Sequence, residues 1–82
     1  MSIPLFAVVT LRRDDGETGV PVGAEGTVVA VHGNGEAYTV EFFDGNGGTV
    51  EASLLRDYRP EELKVAWRPE APALPPEQPG KP

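Results

Sequence analysis

Residues 26–43, GTVVAVHGNGEAYTVEFF, carry the clearest structural signal in the chain. The first half is rich in β-branched residues, and the second half alternates apolar with polar residues. β-Branched residues favour strands, and alternation is the pattern of a strand with one buried face. Asn34 and Gly35 lie between the halves and suit the positive φ angles of a tight hairpin turn. We therefore predict a hairpin of two strands, residues 26–32 and 37–43, with three core positions, Val28, Val40 and Phe42.

Short strand patterns continue on both sides of this hairpin. Residues 5–11 form a nearly continuous apolar run of strand length, which suits a strand covered on both faces. A glycine-rich turn at residues 44–48 precedes a fourth predicted strand, which runs from Thr49 to about Leu55 or Tyr58. No stretch of the chain shows the apolar period of about 3.6 residues that marks an amphipathic helix. The fold is therefore expected to be all-β.

The last part of the body predicts one helical turn followed by a strand. Pro60 suits the first position of a turn over residues 60–63, because its missing N–H costs little there. Residues 64–67 form the fifth predicted strand. Five short strands with one helical turn before the fifth are typical of a small SH3-like barrel, in which closure protects the strand edges.

Composition predicts one domain and a tail. Six of the nine prolines fall in residues 68–82, where few apolar residues are available for a core. We expect an SH3-like β-barrel domain over residues 1–67 and a disordered Pro-rich tail over residues 68–82. Residues 12–24 are polar and contain glycine and proline, so they are predicted to be the most mobile loop, lying over the barrel mouth.

Charge and cysteine content limit the function classes. The 82 residues include 13 acidic and 7 basic side chains, for a net charge of −6, and no cysteine. Without cysteine, disulfides and thiolate metal sites are excluded, and a reducing cytoplasm is the expected location. The N-terminus lacks the pattern of a signal peptide, and the longest apolar run is far below the roughly 18 residues of a membrane span. We predict no membrane association and a partner protein with a basic surface.

The chemical motifs favour a non-catalytic protein. His32 is the only histidine and has no cysteine to complete a metal site. The acidic segments at residues 14–17 and 44–47 lack the loop of about twelve residues, with a terminal glutamate, that binds calcium in an EF-hand. No serine or cysteine nucleophile can be paired with a base and an orienting acid. We therefore predict no catalytic residue, no cofactor and no metal.

Aromatic residues supply the candidate contact surface. Phe6, Tyr38 and Phe42 fit core positions by their place in the strand patterns. Three other rings fall at segment edges or on the opposite face, where large rings commonly serve recognition. The predicted partner-binding residues are these three rings and two bases of the adjoining loop, namely Phe43, Tyr58, Trp67, Arg12 and Arg13. The alternative is that the three rings complete the core.

The hairpin and its flanks resemble a known family. Residues 22–29, VGAEGTVV, and residues 37–42, AYTVEF, resemble the G-x-x-G-T-V-V segment and Y-x-V-E-F strand of the DUF4926 family of small bacterial proteins. Residues 5–10 stand where that family has its first apolar strand, and residues 59–65 resemble its closing turn and strand. The resemblance covers residues 5–65.

This resemblance implies an SH3-like barrel of unknown biochemical role, with members encoded in small gene pairs. The chain departs from the family pattern in a longer loop at residues 12–19 and an enlargement around residues 56–58. These departures leave the register of the fourth strand open.

Three function classes follow from the sequence. The preferred hypothesis is a protein-interaction module, the acidic member of a two-gene bacterial system with an antitoxin-like, immunity-like or accessory-subunit role. The alternative is a nucleic-acid-binding barrel, suggested by the likeness of residues 23–31 to SH3-like modules of translation proteins. Phosphate binding needs a basic face, however, and the bases here are scattered among more numerous acids. The third hypothesis is an accessory domain of an enzyme.

Overall fold

The computed structural model describes residues 2–69, which form a four-stranded antiparallel sheet and two short 3-10 helices. The strands are β1 (Val8–Leu11), β2 (Glu25–His32), β3 (Ala37–Phe42) and β4 (Leu63–Trp67), and their order across the sheet is β3-β2-β1-β4. The helices are η1 (Glu51–Leu55) and η2 (Pro60–Glu62). Within the described residues, no helix is long and apolar enough to cross a membrane. The tail was predicted to be disordered over residues 68–82. Of these, residues 70–82 lie outside the described range.

The predicted β-hairpin is confirmed as strands β2 and β3. Their pairing runs from Gly26 opposite Phe42 to His32 opposite Ala37, with an irregularity between Val28 and Ala30. The turn places Asn34 at φ 40° and its two glycine neighbours at φ 53° and 97°. These positive φ values are the ones that asparagine and glycine adopt most readily, which is why the sequence signal was strong here.

The core lies on one face of the sheet. Alternate residues of β1 and β3 are buried, as period-two strands require. The predicted core positions Val28, Val40 and Phe42 are all fully buried, whereas Phe6, which was also assigned to the core, is 59% exposed. The buried apolar set also includes Ile3, Ala7, Val9, Leu11, Val20, Tyr38, Tyr58 and Leu63.

The prediction of a fourth strand is wrong, because residues 49–58 form η1 and two isolated bridges. Thr49 pairs with Phe43 and Tyr58 pairs with Tyr38, but no strand joins these bridges. The buried Ser53 accounts for the interruption: its Oγ accepts the backbone N–H of Phe42 at 3.1 Å, where a ladder would use a carbonyl. The same hydroxyl donates to the Val50 carbonyl at 2.7 Å and closes the helical turn. The described sheet is therefore open and has four strands instead of five.

Of the three remaining elements, one is shorter than predicted and two lie where they were predicted. Strand β1 is shorter than the predicted 5–11, because Phe6 has φ 68° and takes the chain out of the extended conformation. The helical turn at Pro60 is confirmed as η2, and its first turn is capped where Glu62 Oε1 accepts the Arg59 N–H at 2.8 Å. Strand β4 follows directly, as predicted.

Candidate functional site

The loop at residues 12–24 is held in place by the side chain of Asp15. Asp15 Oδ2 accepts hydrogen bonds from Thr18 Oγ1 at 2.7 Å, from Tyr58 Oη at 2.8 Å and from Arg56 Nη1 at 2.8 Å. Its Oδ1 accepts the Glu17 backbone N–H at 3.0 Å. The loop predicted to be the most mobile is thus anchored to residues more than forty positions away.

Arg56 joins this loop to the last part of the fold. Its guanidinium lies 4.3 Å from the centre of the Tyr58 ring, a cation–π distance. Its Nη2 donates to Glu62 Oε2 at 2.7 Å, and its Nε lies 3.5 Å from Glu17 Oε1. One side chain therefore links the 12–24 loop, the segment after η1 and the helix η2.

The protonation states of this cluster are fixed by its hydrogen bonds. Burial opposes the charged form of Asp15, but the donors Thr18, Tyr58 and Arg56 outweigh it and hold its pKa well below the usual range. Burial likewise opposes the charge of Arg56, but its carboxylate partners Glu62 and Asp15 outweigh this effect and hold its pKa above the usual value. The pKa of Glu62 is lowered against the effect of burial by the Arg59 N–H and by Arg56. Asp15, Arg56 and Glu62 therefore keep their charges at neutral pH and form an ion-pair network.

A second loop, residues 44–48, is built around its own aspartate. Asp44 Oδ1 accepts the backbone N–H of Asn46 at 2.7 Å and of Gly48 at 3.0 Å. The Asp44 N–H donates in turn to the Gly48 carbonyl at 3.0 Å. This local arrangement is an Asx-type turn, which explains the aspartate directly after β3.

A groove lies between these two loops. Its volume is about 390 Å³, which is within the range of small binding clefts. Its lining combines apolar side chains with two carboxylates and two loop glycines: Pro21, Ala24, Phe43, Val50, Glu25, Asp44, Gly19 and Gly45. The backbone N–H of Phe43 donates to the Glu25 carbonyl at 3.0 Å and so fixes one wall against the other. We refer to this feature as the groove.

A second apolar surface adjoins the groove along the chain. Leu55 is 90% exposed and Leu54 is 40% exposed, both at the end of η1. They line a shallow depression with Glu41, Thr49 and Glu51. Thr49 and Glu51 are the immediate neighbours of Val50, which lines the groove. We refer to this depression as the Leu54–Leu55 patch.

Of the three predicted contact rings, one lines the groove and one belongs to the core. Phe43 is 39% exposed and lines the groove. Tyr58 is fully buried, which corrects its expected place at the surface. Its ring packs edge-on against Phe42, with centroids 5.1 Å apart, and its hydroxyl donates to Asp15. Trp67 is 55% exposed but lies in β4, at the opposite edge of the sheet from β3. The structure therefore does not bring the three rings together.

The two predicted bases are the first two residues of the 12–24 loop. Arg12 and Arg13 are exposed, directly after β1. The backbone N–H of Arg12 donates to the Glu62 carbonyl at 2.9 Å, and its Nε donates to the Leu63 carbonyl at 3.0 Å. Arg12 thus ties the loop to the end of η2 through its backbone N–H and to the start of β4 through its side chain.

Other residues of the groove and of the Leu54–Leu55 patch were missed by sequence reasoning, although some left a signal. Pro21 and Ala24 belong to a loop interpreted as polar, and Leu54 and Leu55 belong to the segment interpreted as a strand. An adjacent pair of leucines cannot both point into the core from a strand, so this pair indicated a break in alternation.

His32 lies outside the groove, at the end of β2. Its Nε2 is 2.8 Å from Thr39 Oγ1 and 3.5 Å from Asp57 Oδ1. In the part of the chain that the structure describes, no group of three or more histidine, cysteine, aspartate or glutamate side chains is arranged to hold a metal ion.

Comparison with known proteins shows the family of the chain. Neither the curated proteins nor the solved structures contain a significant match. The family profile described as "Domain of unknown function (DUF4926)" matches residues 5–65, which include β1, β2, β3, the start of β4 and every residue that lines the groove. This match covers well over half of the chain. The chain therefore belongs to the DUF4926 family.

Proposed function

We propose that this chain is a non-catalytic protein-binding module that holds an apolar and basic segment of a partner protein in the groove. The observation that carries the proposal is the position of Phe43, half-exposed on an apolar lining that is bordered by the carboxylates of Glu25 and Asp44. Buried apolar rings supply most of the energy of protein contacts, whereas charges at the rim select and steer the partner. An apolar residue flanked by lysine or arginine matches both parts of this lining.

The Leu54–Leu55 patch extends the same chemistry. Because the Leu55 side chain is 90% exposed, it contributes almost nothing to the stability of the fold. Exposed apolar side chains of this kind are typical of contact surfaces. Two further carboxylates, Glu41 and Glu51, border the patch. A partner segment that crosses Val50 would cover the groove and the patch together, and would meet acidic groups on both.

The distribution of basic groups supports a protein partner over a nucleic acid. Arg56, one of only seven bases in the chain, is engaged inside the molecule by Asp15 and Glu62. With a net charge of −6, the surface offers few cations for phosphate contacts. The chain would then be the acidic member of a two-gene bacterial system, with an antitoxin-like, immunity-like or accessory-subunit role. This role is consistent with a basic partner and a cytoplasmic location. The alternative of nucleic-acid binding predicts retardation of RNA in a gel, and we expect none.

The finer description of the fold is part of the proposal. We propose that residues 49–58 take the place of the missing strand of an SH3-like barrel. They bridge β3 at both of its ends, through Thr49 and Tyr58, and then lead through η2 to β4. In this interpretation the free edge of β3 is covered, which is the purpose that closure serves in a small barrel.

Affinity purification with matched charge variants tests the proposed function. The tagged chain is expressed in its native host, and the co-purifying protein is identified and then purified for quantitative binding. We expect a basic partner whose affinity falls strongly with Phe43→Ala and with Glu25→Lys. Glu61→Lys, an equal charge change on the exposed part of η2, serves as the control and should have little effect. An acidic partner, or full affinity in a folded Phe43→Ala variant, would contradict the proposal.

A further inference from the structure

Two asparagines of the chain stand in the same local sequence, Gly-Asn-Gly. Asn34 lies in the turn between β2 and β3, and Asn46 lies in the 44–48 loop beside the groove. Both asparagines are exposed. An asparagine before glycine is open to spontaneous modification, because glycine has no side chain to hinder attack of its backbone nitrogen on the asparagine side chain. Sequence and exposure alone therefore do not distinguish the two positions.

The modification needs water as its only co-reactant. The backbone nitrogen of the glycine bonds to the asparagine Cγ atom, and the bond between Cγ and the side-chain nitrogen breaks. That nitrogen leaves as ammonia, with the proton that the backbone nitrogen gives up. The succinimide ring formed in this way then adds water at one of its carbonyl carbons. Opening of one ring C–N bond gives aspartate, and opening of the other gives isoaspartate, whose main chain runs through the former side chain.

The hairpin turn holds the Gly35 nitrogen away from this reaction. Its N–H donates to the His32 carbonyl at 3.2 Å, and this hydrogen bond has to break before the nitrogen can lose its proton. Gly35 is also closely packed, since a Cβ atom at this position would lie 2.7 Å from Ser2 Cβ and 2.9 Å from Tyr38 Oη. The turn therefore resists the change of main-chain conformation that ring closure requires.

The 44–48 loop places neither constraint on Gly47. Within the described residues, the hydrogen bonds of this loop use the backbone N–H groups of Asp44, Asn46 and Gly48, and none uses that of Gly47. A Cβ atom at Gly47 would meet nothing within 4 Å. Because Gly45 and Gly48 are also glycines, the main chain around Asn46 has additional conformational freedom. The Gly47 nitrogen is therefore free to approach the side chain of Asn46.

We propose that Asn46 is a site of spontaneous succinimide formation in the folded protein, whereas Asn34 is protected by its turn. The reaction adds a carboxylate beside Asp44 and Gly45, which line the groove. The isoaspartate product also lengthens the main chain between the Asn46 and Gly48 N–H groups, both of which donate to Asp44 Oδ1. The modification therefore alters one wall of the groove. The inference is independent of what the groove binds.

Mass spectrometry of the aged full chain tests this assignment. Purified protein is incubated at physiological temperature and mildly alkaline pH and is then cleaved after glutamate, which separates the two sites because Glu36 and Glu41 lie between them. The mass increase reports conversion of the amide to a carboxylate, and electron-transfer fragmentation identifies isoaspartate. We expect Asn46 to convert at least about tenfold faster than Asn34, a factor that the loss of one hydrogen bond can supply before packing is counted.

The same chain unfolded in guanidinium chloride is the reference, and there the two asparagines should convert at similar rates. Asn46→Gln, which can close only a larger ring, should stay unmodified, and Asn34→Gln should leave the conversion of Asn46 unchanged. The amide chemical shifts of Asp44 and Gly45 should change as Asn46 converts. Conversion of Asn46 no faster than that of Asn34 in the folded chain would overturn the proposal. So would a converted Asn46 that leaves the shifts of both groove residues unchanged.

Discussion

Arg56 Nη1 donates to Asp15 Oδ2 at 2.8 Å, and this contact joins two segments separated by 41 positions in the chain. The Asp15 side chain is only 7% exposed, and that of Arg56 is 23% exposed. The pair therefore fixes one wall of the groove from inside the molecule. The carboxylate depends on this arginine for its only cationic partner among the hydrogen bonds described.

Arg56→Met should destabilise the fold strongly. Methionine keeps an apolar stem against Tyr58 but leaves the buried Asp15 carboxylate without its positive charge, which typically costs about 3 kcal/mol or more. Urea unfolding followed by circular dichroism measures the free energy of unfolding. Arg13→Met, at an exposed position, is the control and should change it by no more than about 0.5 kcal/mol. Equal urea midpoints for the two variants would show that the pair does not stabilise the fold.

The stability of the protein should fall in acid because of Asp15. The folded pKa of Asp15 lies below its ordinary value of 3.8, so the unfolded chain binds more protons in this range and the free energy of unfolding rises with pH. The contribution is complete near neutrality and is lost as the pH falls below about 4 towards the folded pKa. Glu62, whose pKa is also lowered, acts in the same direction from its ordinary value of 4.5.

Asp15→Asn should therefore reduce the dependence of stability on pH. Urea midpoints measured between about pH 5 and pH 2 should change less in this variant than in wild type. Asp57→Asn, at an exposed aspartate, should keep the slope of wild type. A slope for Asp15→Asn as steep as that of wild type would place the acid sensitivity elsewhere.

Gly26 is required by close packing between β2 and β3. A Cβ atom at this position would lie 2.8 Å from the Glu41 carbonyl oxygen and 2.8 Å from a ring carbon of Phe42. Because one neighbour is backbone, the strands would have to move apart, and Gly26→Ala should cost about 1–3 kcal/mol. Gly16→Ala is the matched control, since nothing lies within 4 Å of a Cβ atom there. Thermal melts of the two variants make the comparison, and similar midpoints would contradict this account of the glycine.

Phe42 is one of the largest fully buried side chains of the core. It is fully buried and packs edge-on against Tyr58. Phe42→Ala should cost about 3–5 kcal/mol, which is comparable with the whole stability of a domain of this size. Denaturant unfolding should show a greatly lowered midpoint or an unfolded chain. A small change would mean that the third strand presents a different face to the core.

The features that follow local rules were predictable from the sequence. The hairpin was recognisable because alternation and the Asn34-Gly35 turn act within neighbouring residues. Phe42 was assigned to the core by the same alternation, and η2 by the position of Pro60. These signals need no knowledge of distant contacts.

The remaining features depend on contacts between distant segments. The fourth strand was predicted from its composition, but the Ser53 hydroxyl takes the place of a strand carbonyl opposite Phe42. Tyr58 was assigned to the surface because its partners, Asp15 and Arg56, reach it only in the folded chain. The groove arises where two loops meet, so of the residues that line it only Phe43 was assigned to a contact surface, from its place at the end of the predicted strand 37–43.

Selection from a random peptide library displayed on phage tests most directly whether the groove holds an apolar and basic segment. Wild type serves as bait, with Phe43→Ala as the counter-selection, and the selected peptides are mapped by amide chemical shifts. We expect peptides that combine a large apolar residue with lysine or arginine and that bind more weakly at high salt. Their shift changes should centre on Glu25, Phe43 and Val50. Selection of acidic peptides, or shift changes that leave these three residues unaffected, would contradict the account.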